Sequence, residues 1–148
     1  MKALTLAAAL VVAVSGWFSP AAAAATAATY QRDIFTVTNE QRADHGRVLF
    51  THQSCVQRYA ERQAARMAAQ ERIFHQDLRK VLRDCNLRSA GENVAFGFDT
   101  GRSVVEDGWM RSAGHRANIL RAGFRLLGTG ARRGDDGLWY AVQVFGSR

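Results

Sequence analysis

Apolar residues recur every three to four positions in the first half of the chain and alternate with polar ones near its end. Tyr30, Ile34 and Val37 share one stripe, which predicts a helix over residues 30–45 that Gly46 stops; residues 21–29 are expected as a frayed arm. Val56, Tyr59, Ala60, Ala64, Met67 and Ala68 predict a second helix over residues 51–70, with Arg58, Glu61, Arg62 and Arg66 on its polar face. Leu78, Val81, Leu82 and Cys85 keep the same period and predict a short helix over residues 76–84. Val94, Phe96 and Phe98 alternate with Ala95 and Gly97, the pattern of a strand over residues 92–98.

A fourth helix is expected over residues 100–112, capped at Ser103 or Thr100, with Val104, Val105, Gly108, Trp109 and Ser112 inward. Gly108 weakens a helix, so another backbone is expected to approach it closely. Residues 116–120 add a helical turn. Residues 124–132 and 138–145 read as antiparallel strands joined by the turn at 133–137. Gly128-Thr129-Gly130 lacks the third glycine of a dinucleotide loop and opens no helix, so the pair is expected to let a neighbour pack closely on the sheet. Helices precede a small antiparallel sheet with a helix inserted, an α+β layout with helices covering the sheet.

Composition changes the picture at the N-terminus. Met1-Lys2, the apolar run of residues 3–14 and the alanine tract ending at Ala25 form a secretory leader, so residues 1–25 are expected as a signal peptide and 26–148 as one domain. A secreted, extracellular protein follows, with no transmembrane segment once the leader is removed. In that setting Cys55 and Cys85 are expected as a disulfide; a cysteine nucleophile with a histidine partner is the alternative. The net charge is +7, and all cations except Lys2 and Lys80 are arginines. They are spread out rather than clustered, which favours solvated helix faces over a specific nucleic-acid footprint and leaves a weak attraction to anionic cell-envelope polymers.

The candidate chemistry lies in Gly91-Glu92-Asn93-Val94 and Gly114-His115-Arg116. Glu92 stands near a strand start and His115 just after a helix, with His75 upstream as a third member. Two imidazoles and a carboxylate can hold Zn²⁺ with a position open to water, or do acid–base work with Glu92 and His115 as the catalytic candidates. They can equally form a hydrogen-bonded network that ties the sheet to the fourth helix. The chain has no HExxH, G-x-S-x-G or P-loop.

At this point the chain resembles a known family. Asn39-Glu40-Gln41-Arg42, the Met67-to-His75 segment, Gly91-Glu92-Asn93-Val94-Ala95, Trp109-Met110-Arg111-Ser112, Gly114 to Leu120, Gly128-Thr129-Gly130, Trp139-Tyr140 and Gln143-Val144-Phe145-Gly146 occur in the order found in the CAP superfamily: cysteine-rich secretory proteins, antigen 5 and pathogenesis-related 1 proteins. The resemblance implies an α-β-α sandwich and a cleft lined by two histidines and two acids. His75, Glu92 and His115 match three of these; Ser112 stands at the second acid, and Ala113 where bacterial relatives often carry proline. Ser112, Asn118 and Gln143 are expected to line the same cleft. The implied roles are extracellular interaction, lipid or sterol binding and, less often, peptidase activity. The resulting expectation is a monomeric secreted binding module for a small ligand, a lipid or a divalent metal from an extracellular or cell-envelope source. It requires no cofactor and binds Zn²⁺ weakly through His75, Glu92 and His115. The alternative is a metal-assisted hydrolase such as a peptidase using the same residues.

Overall fold

The structure is a computed structural model and describes residues 26–148; the leader expected over residues 1–25 lies outside the described residues. Helix α1 (Ala27–Asp44) begins earlier than expected, because Thr26 Oγ1 accepts the Thr29 N–H at 3.1 Å and caps it. Gly46, at φ +64°, turns the chain out of α1. Strand β1 (Thr51–His52) follows, where the sequence pattern predicts the start of a helix; two residues are too few to show a strand period. The Gln53 side chain then accepts the Val56 N–H and opens α2 (Ser54–Ala69). Asp77 caps α3 (Leu78–Asp84), and β2 spans Ser89–Phe96.

The single fourth helix expected over residues 100–112 is three pieces: α4 (Gly101–Ser103), a π-helical turn (Val104–Gly108) and a 3-10 turn (Trp109–Arg111). Thr100 and Ser103 form the capping box reciprocally, so the cap is Thr100. A Cβ at Gly108 would lie 2.7 Å from the Phe98 ring. The close neighbour is therefore an aromatic side chain, not the expected backbone. Helix α5 (Ala113–Leu120), β3 (Leu126–Arg133) and β4 (Trp139–Ser147) complete the chain.

The sheet runs β1-β3-β4-β2, antiparallel except for β1, which lies parallel to β3. Helices cover both faces, giving the three-layer α+β sandwich. Val94, Tyr140, Val142 and Val144 face α2 and α3, among Val56, Ala60, Ala64, Met67 and Val81. Ala95, Ala141, Leu127 and Phe145 face α1 and α5, with Ile34, Trp109, Ile119 and Phe124. β2 departs from its alternation only at its end, where Gly97 at φ +81° turns the chain: Val94 is buried, Phe96 is exposed and stacks on Tyr140, and Phe98 lies beyond the strand. Cys55 and Cys85 are joined with Cα atoms 5.6 Å apart, which removes both thiols as nucleophiles. Among the described residues no helix is long and apolar enough to cross a membrane.

Two local features hold the layers together. Gly128 and Gly130 bring the backbone of α2 directly onto β3: a Cβ would fall 2.4 Å from Gln57 N and 2.1 Å from Ala60 O. Arg42, fully buried on α1, donates to Val48 O and Ile119 O, each at 2.6 Å, to Arg121 O at 3.2 Å and to Phe124 O at 3.4 Å. Its guanidinium carbon lies 3.9 Å over the Phe50 ring.

Gly130→Ala is expected to lower the unfolding free energy by about 3 kcal/mol, since neither backbone can retreat without breaking its ladder. Urea denaturation of the two proteins measures it; an unchanged midpoint would contradict the contact. Arg42→Leu is expected to cost at least about 3 kcal/mol, because it leaves several buried carbonyls without a donor. Arg42→Lys should recover less than half of that loss, since one ammonium cannot reach the same spread of acceptors. Thermal and urea melts of both variants give the comparison.

Candidate functional site

Strand β2 is an edge strand, so the layers on its two sides meet along its free edge. Glu92 projects toward the α2–α3 side, in phase with Val94, while Asn93 projects toward α1 and α5. From the first side comes the loop between α2 and α3. Glu71, at φ +48°, turns that loop, and Gln63, fully buried on α2, donates its side-chain amide to Phe74 O. This places His75 and Gln76 over Glu92.

The Glu92 side chain has no solvent exposure, whereas that of His75 is 61% exposed. His75 Nδ1 donates to Glu92 Oε1 at 2.7 Å, and Gln76 N–H donates to the same oxygen at 3.1 Å. The Gln76 side-chain amide donates to Oε2. Glu92 therefore fixes the His75 ring through Nδ1 and leaves Nε2 without a hydrogen bond among the described residues. Gln76 Oε1 is buried without a partner among the described residues.

His115 arrives from the other side, in the first turn of α5, half-buried. Asn93 Nδ2 holds the His115 carbonyl at 3.1 Å, and Asn118 Nδ2 reaches Glu92 O at 3.3 Å and Asn93 Oδ1 at 2.9 Å. Trp109 Nε1 donates to Val94 O at 3.3 Å. These bonds lock α5 and the turn before it to the free edge of β2. Burial pushes the His115 imidazole below its ordinary pKa, and the charge of His75 pushes it the same way.

The expected residues fall into distinct positions. His75 and Glu92 are bonded directly, while His115 is tied to β2 through its own carbonyl, which accepts from Asn93. Ser112 occupies the N-cap position of α5, half-buried, and its hydroxyl makes no cap bond. Asn118 bridges α5 to β2. Gln143, expected to line the cleft, is fully buried instead: it accepts from Asn93 at 2.9 Å and donates to Thr38 Oγ1 at 2.6 Å, well inside the α1 layer. Its place on β4, the strand between two others, explains the difference. Among the described residues no three His, Cys, Asp or Glu side chains stand close enough together to hold a metal ion. The expected three-ligand set does not fit as such, because both Glu92 oxygens are already engaged by His75 and Gln76. Gln76 and Thr38 carry no sequence signal for these roles; Asn93 stands within the Gly91–Ala95 stretch, where its odd position in β2 points it inward.

His115 is expected to titrate below the ordinary histidine value near 6.5. A basic group lowered on folding favours the neutral native form, so its contribution is complete above the unfolded value and is lost as pH falls below it. His75→Gln should raise the His115 midpoint only part of the way back, since burial is the larger cause. NMR titration of the ring protons reads this; a midpoint that does not move would separate the two rings.

The family model of the cysteine-rich secretory protein family (CAP) matches residues 35–145. The uncharacterized protein YkwD of Bacillus subtilis is 28% identical over 116 residues, covering 73% of this chain and 44% of its own length, so the chain spans less than half of that relative. An extracellular protein containing an SCP domain from Bacillus anthracis superposes with a TM-score of 0.71 at 26% identity, over 82% of this chain and 41% of that one. An outer surface protein of Borrelia burgdorferi gives the same TM-score at 16% identity, over 79% and 91% of the two chains, and shares the fold. With the family model spanning most of its length, and the three-layer sandwich repeated in these structures, the chain belongs to the cysteine-rich secretory protein (CAP) family.

Proposed function

We propose that the protein is an extracellular binding module whose cleft presents two imidazoles, His75 and His115, to a small ligand. The observation that carries this reading is the His75–Glu92 pair. A carboxylate buried beneath a histidine and bonded to Nδ1 sets the ring's tautomer and direction, and Nε2, without a partner among the described residues, is left to meet a ligand. A divalent cation such as Zn²⁺ suits neutral imidazole nitrogens. Two protein ligands are fewer than a structural zinc site uses, so the affinity is micromolar or poorer, with water completing the shell. Secretion is supported by the leader pattern in the sequence, by the Cys55–Cys85 bond, which persists in oxidising surroundings, and by the Bacillus anthracis relative described as extracellular.

A hydrolase that uses Glu92 as general base is less well supported. The carboxylate has no contact with solvent and already accepts three donors, so no water reaches it to be activated.

Isothermal calorimetry with zinc chloride tests the reading on the wild type, His75→Ala, His115→Ala and Glu92→Gln. His75→Ala and His115→Ala should each weaken binding at least about tenfold; Glu92→Gln should weaken it less, because it loosens the ring without removing a ligand. Affinity should drop below about pH 6 as the imidazoles protonate. Equal binding in all four proteins, or none in the wild type at millimolar zinc, would leave the three residues as a structural network.

A further inference from the structure

At the end of the molecule where Arg42 is buried, two loops meet: residues 45–50 after α1 and residues 121–125 after α5. The first exposes two aliphatic side chains, Val48 at 62% and Leu49 at 51%. This is not a slack segment. Arg42 Nε holds Val48 O at 2.6 Å, and the Asn39 amide holds both backbone groups of Phe50, at 2.7 and 3.1 Å. With the backbone pinned on both sides, Val48 and Leu49 cannot turn inward.

The surroundings are cationic. Arg47, Arg121 and Arg125 are exposed, and none of them is in an ion pair among the described residues. Beneath them Arg42 is buried with carbonyls and a ring as its partners. Burial lowers its pKa to about 10, and Arg125 and Arg47 act in the same direction, which registers the positive potential of this end. Asp44 is the acid closest along the first loop, and Glu40 is engaged by Arg102 at 3.0 Å.

We infer that this end of the molecule docks on an anionic lipid bilayer, with Val48 and Leu49 entering the headgroup boundary and Arg47, Arg121 and Arg125 meeting the lipid phosphates. The combination selects the partner. A soluble polyanion would engage the arginines and leave two aliphatic side chains in water, whereas a bilayer surface takes up both. The site is separate from the histidine cleft and does not depend on any ligand there.

Co-sedimentation with vesicles tests it. The purified protein should pellet with phosphatidylcholine vesicles containing roughly 30% phosphatidylglycerol, not with phosphatidylcholine alone, and added salt should weaken the binding. Each of Arg47→Gln, Arg121→Gln and Arg125→Gln should lower partition by about fivefold. The double variant Val48→Ser, Leu49→Ser keeps the charge and should lower partition by about tenfold or more. Arg125 Nη1 donates to Ala122 O and Phe124 O, and the Arg121 guanidinium lies 4.9 Å over the Phe124 ring, so melting temperatures are measured alongside to show that each variant is folded. Failure of the wild type to pellet with the anionic vesicles would overturn the inference. So would undiminished pelleting of the serine double variant, which would reduce the surface to a patch for polyanions in general.

Discussion

The fold depends on a guanidinium that has no carboxylate. Arg42 is fully buried on α1, and its acceptors are backbone carbonyls from three other segments: the loop before β1, the C-terminal turn of α5 and the approach to β3. The carbonyl of Ile119, near the C-terminal end of α5, has no further helical turn to satisfy it, and it carries part of the negative end of the helix dipole. A planar cation with donors in several directions suits this junction as an ammonium would not. The electrostatic cost of burying it is visible in its lowered pKa, which at about 10 still leaves it charged near neutrality. Fixing α5 at its C-terminal end has a consequence one helix length away, because His115 stands at the other end.

Side-chain amides extend the same logic to the sheet edges, where backbone groups would otherwise lie unpaired. Strand β1 is only two residues long, so β3 outruns it. Beyond that point the Gln57 amide donates to Thr129 O at 2.7 Å and accepts Thr129 N–H at 2.8 Å, as a neighbouring strand would. Asn39 does the same for Phe50 before β1. On the opposite edge Asn118 and Trp109 close Glu92 O and Val94 O. Inside, Asn118, Asn93, Gln143 and Thr38 form a relay from α5 through the sheet to α1, ending at Ile34 O. Buried polar chains of this kind are costly when one member is missing and specify a single register when complete. They explain why α5 is held in place although few of its residues are apolar.

Much of this is legible in the residues alone. Helical spacing finds α1, α2 and α3; alternation finds β3 and β4; and the two glycines of Gly128-Thr129-Gly130 announce a close neighbour, which the structure shows to be α2. The phase of Cys85 predicts its inward position, and the leader with an even cysteine count predicts its bond to Cys55. What escapes has physical causes. Two-residue β1 has no period. The segment at 100–112 keeps helical composition, yet Gly108 and the Phe98 ring break it into π and 3-10 turns, a tertiary effect invisible in spacing. Residue types single out His75, Glu92 and His115 as candidates, but not the contacts each of them makes. Those contacts follow from burial: a glutamate on an edge strand covered by the 70–77 loop becomes a partner for His75 and Gln76, and Gln143 on an inner strand joins the core relay instead of the cleft.

His115 and the basic end are joined by one short element. His115 stands in the first turn of α5, and Arg121 follows its last residue, six positions on, a rise of about 9 Å along the axis. The N-terminal end of α5 is tied to β2 by Asn93 and Asn118, and the C-terminal end to α1 by Arg42. An element fixed at both ends by buried hydrogen bonds transmits position without needing to move. If the basic loops rest on a membrane, His115 is therefore held at a set height of about 9 Å above them, less than two helical turns. In this arrangement the polar core serves geometry as well as stability: it keeps the half-buried His115 and a cationic, aliphatic-tipped end in constant register across one helix.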